Sequence, residues 1–242
     1  MDMHTVLLYG RAAAVVVPGA QLLTTLAAKG QKEVQPPLAL LRAWRGPVPR
    51  AAAGLVAAMV VLGVAQVVFP AMIDAWERHP HGAWWRAVTA LMVQSSGWFQ
   101  LLFNLAALAA VAPVAERQFG PWRMLLVFTA SGVTAQTVSM AGWSPRGGGD
   151  SVAICGLVGA LAVWYAARGR LVTLRWVTVL VPASGLVLCL LANNHGAGLL
   201  AGCALGAGLA IPARSTPSRL SRLNFAVWLG RGGAVSRVRR RW

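Results

Sequence analysis

Acidic residues are scarce in this chain: six Asp and Glu stand against 22 Lys and Arg in 242 residues. Charge of either sign makes up only 12% of the chain, where a soluble domain usually carries about twice that. An ordinary water-soluble globule is therefore excluded. Cysteine is limited to Cys155, Cys189 and Cys203, which fall within apolar runs at no metal-like spacing and read as buried thiols. His79 and His81 make an HPH pair without further ligands, so no metal site is expected, and no cofactor either. The amino-terminal MDMH lacks a basic stretch, so no cleavable leader is expected.

What is abundant is apolar surface, at 57% of residues, with a positive mean hydropathy. The net charge of +16 suggests a nucleic-acid partner, but the arginines lie between apolar runs and in a terminal tail. No helical or aromatic-interleaved basic face is present, so no nucleic acid is expected. A membrane span takes about 20 mostly apolar residues, with roughly 17 as the short limit. Six stretches qualify: 51–73, 97–114, 122–141, 151–167, 176–192 and 195–212. Asn193 and Asn194 are all that separates the last two, which makes a tight helical hairpin. Residues 12–28 form a weaker seventh candidate, interrupted by Pro18, and read as an interfacial helix.

Lys and Arg concentrate on alternate links, which sets the orientation. Residues 29–50 hold Lys29, Lys32, Arg42, Arg45 and Arg50. The next links on the same side hold Arg117 and Arg123, then Arg168, Arg170 and Arg175. The tail 213–242 carries eight more arginines, while the opposite links hold only Arg78, Arg86 and Arg146. The expected organisation is an all-α, six-span membrane domain over 51–212. An interfacial region (1–50) precedes it and an Arg-rich tail (213–242) follows, with both termini cytoplasmic. The tail suits anionic lipid. Trp76, Trp84, Trp85, Trp98 and Trp143 then fall at the outer interface.

With that topology, polar side chains from three spans meet at one depth. Gln100 and Asn104 lie four apart near the outer end of the second span. Ser151 opens the fourth after Gly147, Gly148 and Gly149, a run that reads as flexible, and His195 opens the sixth. Gly198, Gly202 and Gly206 repeat every four residues below His195, and Gly159 lies two turns below Ser151. Small residues at such spacing let two helices approach closely in lipid. A serine beside a histidine in hydrocarbon suits nucleophilic catalysis. Singly, Ser151 also serves as a helix cap, and Gln100 and Asn104 as interhelical glue.

Taken in order, these residues resemble the rhomboid family of intramembrane serine proteases over about 84–212. The resemblance rests on Trp85-Arg86, Asn104 in LLFN, Glu116-Arg117 with Phe119-Gly120, and the Gly149–Ser151 turn followed by Gly156 and Gly159. It ends with His195, Gly198 and Gly202. It implies a catalytic dyad of Ser151 and His195, and an oxyanion or substrate-binding site at Asn104, Gln100 and Gly149. Transmembrane segments of other proteins become the substrates, and a multi-pass position in a bacterial plasma membrane is implied. Four positions differ from the family's usual residues: Gln100 replaces a histidine, Val152 a glycine and Cys155 an aromatic that stacks on the catalytic histidine, and Asp150 adjoins the nucleophile. Three functions stay open on these residues: a protease, an inactive rhomboid-like protein that binds transmembrane helices of its clients, or an unrelated small transporter or scaffold, against which the near absence of charge inside the spans argues.

Overall fold

The computed structural model describes residues 19–27, 43–143 and 146–211. The expectations for the amino-terminal region before 19 and for the 213–242 tail fall outside them. Among the described residues the protein is helical, with a single isolated antiparallel bridge between Arg78 and Gly147. Residues 19–27 form α1. Then come α2 (Arg50–Val68), two short helices α3 (Ala71–Trp76) and α4 (Arg86–Thr89), α5 (Trp98–Phe119), and α6 (Pro121–Val138), which ends in a π-helical turn at Ser139–Trp143. The chain continues through α7 (Ser151–Arg168), α8 (Val172–Thr178), α9 (Leu180–Leu190) and α10 (Asn194–Ala210).

Helices cover all six apolar stretches. Five runs of the described residues are long and apolar enough to cross a membrane: α2, α5, α6 with its π turn, α7, and α8 together with α9. At 17 residues, α10 sits at the short limit for a span.

Two prolines shape these helices in ways the sequence explains. Proline lacks an N–H and crowds the carbonyl four residues earlier. Pro182 accordingly breaks the fifth stretch at Val179, between α8 and α9. Pro113 lies inside α5 and leaves the Ala109 carbonyl without its helical donor. The Trp44 indole N–H donates to that carbonyl at 3.0 Å. Beside it, Glu116 accepts from the backbone N–H groups of Ala51 and Ala52 at 3.3 and 2.6 Å, which satisfies the first turn of α2. Arg117 donates to the Ala43 carbonyl at 2.8 Å. The Glu116-Arg117 pair thus fastens the segment before α2 to the end of α5.

The core lies along α5, α6, α7 and α10, where Leu108, Met124, Leu157, Leu161 and Leu199 are fully buried. The most extensive helix contact is between α7 and α10. A Cβ added at Gly198, Gly202 or Gly206 would collide with the backbone of Val152, Gly156 or Ala160, and one at Gly159 with the Leu199 carbonyl. The two backbones touch, as the glycine spacing implied. In contrast, α2 is peripheral and presents Val60, Val61, Val64, Val67 and Val68 outward, as a lipid-facing helix does.

Candidate active site

Ser151 is the first residue of α7 and His195 the second of α10, so the crossing of those two helices determines their separation. The Ser151 hydroxyl oxygen lies 3.0 Å from His195 Nε2. On its other side, His195 Nδ1 lies 3.0 Å from the side-chain oxygen of Asn193. The dyad opens into a cavity of about 290 Å³ whose wall includes Arg78, Gln100, Gln136, Arg146, Gly148 and Gly149.

The glycine run before the nucleophile is strapped on every backbone group, not flexible. Gly147 exchanges backbone hydrogen bonds with Arg78 at 2.9 and 3.2 Å. Gly148 donates to the Ser95 hydroxyl at 2.7 Å, and its carbonyl accepts from Gln100 Nε2 at 2.9 Å. Gly149 donates to the Ala90 carbonyl at 2.8 Å and accepts from Gln136 Nε2 at 3.0 Å. The oxygen of Gln136 takes a hydrogen bond from Arg78 at 2.8 Å. At Gly149 the backbone φ is +155°, and a Cβ there would collide with the Gln100 amide. Glycine is needed at that position for space.

The residues expected from the sequence fall on two levels. Ser151, His195, Gln100 and Gly149 share the cavity. Asn104 is buried behind its wall, where its amide nitrogen donates to Gln94 Oε1 at 2.8 Å. Gln94 in turn donates to the Asp150 carboxyl at 2.7 Å, and its own backbone N–H donates to Gln66 at 2.9 Å. Asp150 therefore points neither into the cavity nor out to water, but into a buried amide cluster. Ser131, Ser139 and Ser184 have the sequence setting of ordinary intrahelical hydroxyls. Ser131 and Ser184 bond carbonyls of their own helices at 2.6 and 2.8 Å, whereas the buried Ser139 hydroxyl has no hydrogen-bond partner among the described residues.

A second cluster holds the link between α2 and α5. Arg86 stacks over Trp85 at 4.8 Å and donates to the Glu77 carbonyl at 2.6 Å. Arg146, on the cavity wall, pairs with Asp74 at 2.7 Å and with Glu77. Arginine thus anchors this link through backbone carbonyls and carboxylates.

Residues 81–212 match the rhomboid domain family. The chain belongs to the rhomboid family. Rhomboid protease GluP of Bacillus subtilis (strain 168) is 31% identical over 139 residues, which is 54% of this chain and 27% of GluP. The protein YdcA of the same strain is 40% identical over 53 residues, 22% of this chain and 26% of YdcA. The chain thus spans about a quarter of the length of these relatives. Together with the five long apolar helices, the family places this rhomboid as a multi-pass membrane protein.

Asp150 yields a pH prediction. Burial pushes its carboxyl above the usual carboxylate range, while the hydrogen bond from Gln94 works the other way. A group raised in the folded state favours its protonated form there, so stability is lost as pH rises through the raised value. Asp150→Asn keeps an oxygen for Gln94 and removes the charge. Thermal unfolding in detergent should show a larger advantage of Asp150→Asn over wild type near about pH 8 than near about pH 4. An equal difference at both values contradicts the assignment.

Proposed function

We propose that this rhomboid is an intramembrane serine endopeptidase that cuts transmembrane segments of other membrane proteins near their extracytoplasmic ends. The observation that carries the reading is the 3.0 Å contact between Ser151 Oγ and His195 Nε2 at the mouth of a polar cavity. In this mechanism the Ser151 oxygen attacks the scissile carbonyl carbon while its proton passes to Nε2. The tetrahedral oxyanion faces the backbone N–H of Ser151, which the geometry of a helix start leaves without an intrahelical partner. Gln100 supplies the side-chain donor, since only one of its two amide hydrogens is needed for the Gly148 carbonyl. Asn104 acts from behind, holding Gln94 on Asp150 beneath the nucleophile. Collapse expels the amine, which takes the proton from His195. Water then attacks the acyl-serine by the same route in reverse.

The substrate helix must unwind to expose a carbonyl, so segments with helix-breaking residues near the outer interface are the expected substrates. The reading includes six spans with both termini on the cytoplasmic side of a bacterial plasma membrane and the Arg-rich 213–242 segment against anionic lipid.

A serine-directed phosphonate probe and a tagged transmembrane reporter test it. Wild type should take up the probe and cleave the reporter; Ser151→Ala should do neither. Wild type without labelling or cleavage overturns the proposal in favour of an inactive protein that binds client helices, a reading supported by Val152 and Cys155 where the family usually has glycine and an aromatic.

A further inference from the structure

We propose that Asn193 is a positioning residue that fixes the ring of His195, making the site a Ser–His–Asn triad instead of a bare dyad. The assignment rests on the protease reading above. One backbone amide decides the proton pattern. The N–H of His195 can only donate, and the Asn193 side-chain atom 2.9 Å from it must therefore be the amide oxygen. That same oxygen lies 3.0 Å from Nδ1 of the ring. An oxygen facing Nδ1 requires the hydrogen there, so in the neutral ring Nε2 carries the lone pair. Nε2 is the atom that faces the Ser151 hydroxyl at 3.0 Å. The nucleophile's proton thus points at the only acceptor on the ring.

Asn193 is itself held on both sides. Its backbone N–H donates to the Leu188 carbonyl at 2.9 Å, and its carbonyl accepts from Gly196 at 3.0 Å. The turn that presents it runs through Ala192, whose φ of +52° is unusual for a residue with a side chain. A backbone held in the left-handed region persists only when its surroundings determine it. The family resemblance puts Cys155 in place of the aromatic that usually stacks on this ring, which leaves the Asn193 oxygen at Nδ1 as the contact that orients it. Arg78, Arg146 and the buried Asp150 are the other ionisable groups around the dyad, and Asn193 is the neutral acceptor against Nδ1.

The full-length chain in proteoliposomes provides the test, with kcat and KM measured separately on a transmembrane reporter. Asn193→Ala should lower kcat about 100-fold, as expected when a general base loses its orientation, with KM within about twofold. Asn193→Asp restores an acceptor and adds a charge that favours the imidazolium. It should recover most of kcat and move the acid limb of the pH–rate profile upward by about one unit. Ring 15N shifts of His195, assigned by difference from His195→Gln, should show the neutral ring protonated at Nδ1 in wild type and a mixture of tautomers in Asn193→Ala. Retention of kcat within about threefold in Asn193→Ala overturns the proposal, as does a wild-type ring protonated at Nε2. Failure of the protease reading is distinct: wild type then neither cleaves nor labels, while the ring shifts still decide the role of Asn193.

Discussion

A valine at position 202 should abolish accumulation of the folded protein, although the change adds only apolar surface to an apolar helix. Gly202 lies where α10 crosses α7, and a Cβ built there collides with the backbone of Gly156. No flexible side-chain end stands between them to move aside. Overpacking a core usually costs about 1–3 kcal/mol because side chains shift; here two helix backbones must part, and the cost should exceed that range. Gly202→Ala should be destabilising in the same direction to a smaller extent. Gly208→Ala is the control, because a Cβ there meets nothing within 4 Å. It should leave the thermal midpoint unchanged or raise it, since alanine exceeds glycine in helix propensity by about 1 kcal/mol. Melting in detergent separates the cases. Equal midpoints for Gly202→Val and wild type would mean that the helices do not meet at this crossing.

The same crossing explains why so much of the site is legible in the sequence. Ser151 and His195 each open an apolar stretch, and the small residues below them dictate close approach, so two residues 44 apart in sequence become neighbours. Gln100 follows from depth alone. Gln66 and Gln136, near the carboxyl ends of α2 and α6, join the site only in the structure, where they hold Gln94 and Gly149. Depth does not reveal Gln94 or Asn193, because both lie in links where polar residues are ordinary and only the turn geometry aims them. The three glycines read as flexible because glycine lacks a side chain; what makes them rigid is donors and acceptors from four other segments. The stretch 176–192 reads as unbroken by hydropathy alone; Pro182 breaks it at Val179, and the resulting pair α8–α9 still has the length of one span.

Ser151→Ala and His195→Ala should each lower kcat at least about 10⁴-fold, and the double variant should be no slower than the worse single. That non-additivity is the signature of two groups acting as one unit, since an imidazole without its hydroxyl has no proton to receive. If the two residues served separate structural ends, their effects would multiply. They would also appear as lost stability, which the geometry does not predict. Ser151 sits at a helix start whose capping carbonyl belongs to Asp150, accepting from Ala153 and Ile154 at 2.9 and 3.0 Å, so alanine leaves those bonds in place. Removing the imidazole leaves the Asn193 oxygen its bond from the backbone N–H of residue 195, so the turn persists. Both variants should therefore melt within a few degrees of wild type while cleavage of the reporter disappears. A double variant as slow as the product of the two single effects, or a single that retains more than about a hundredth of the wild-type rate, would separate the two residues and remove the chemical reading of their contact.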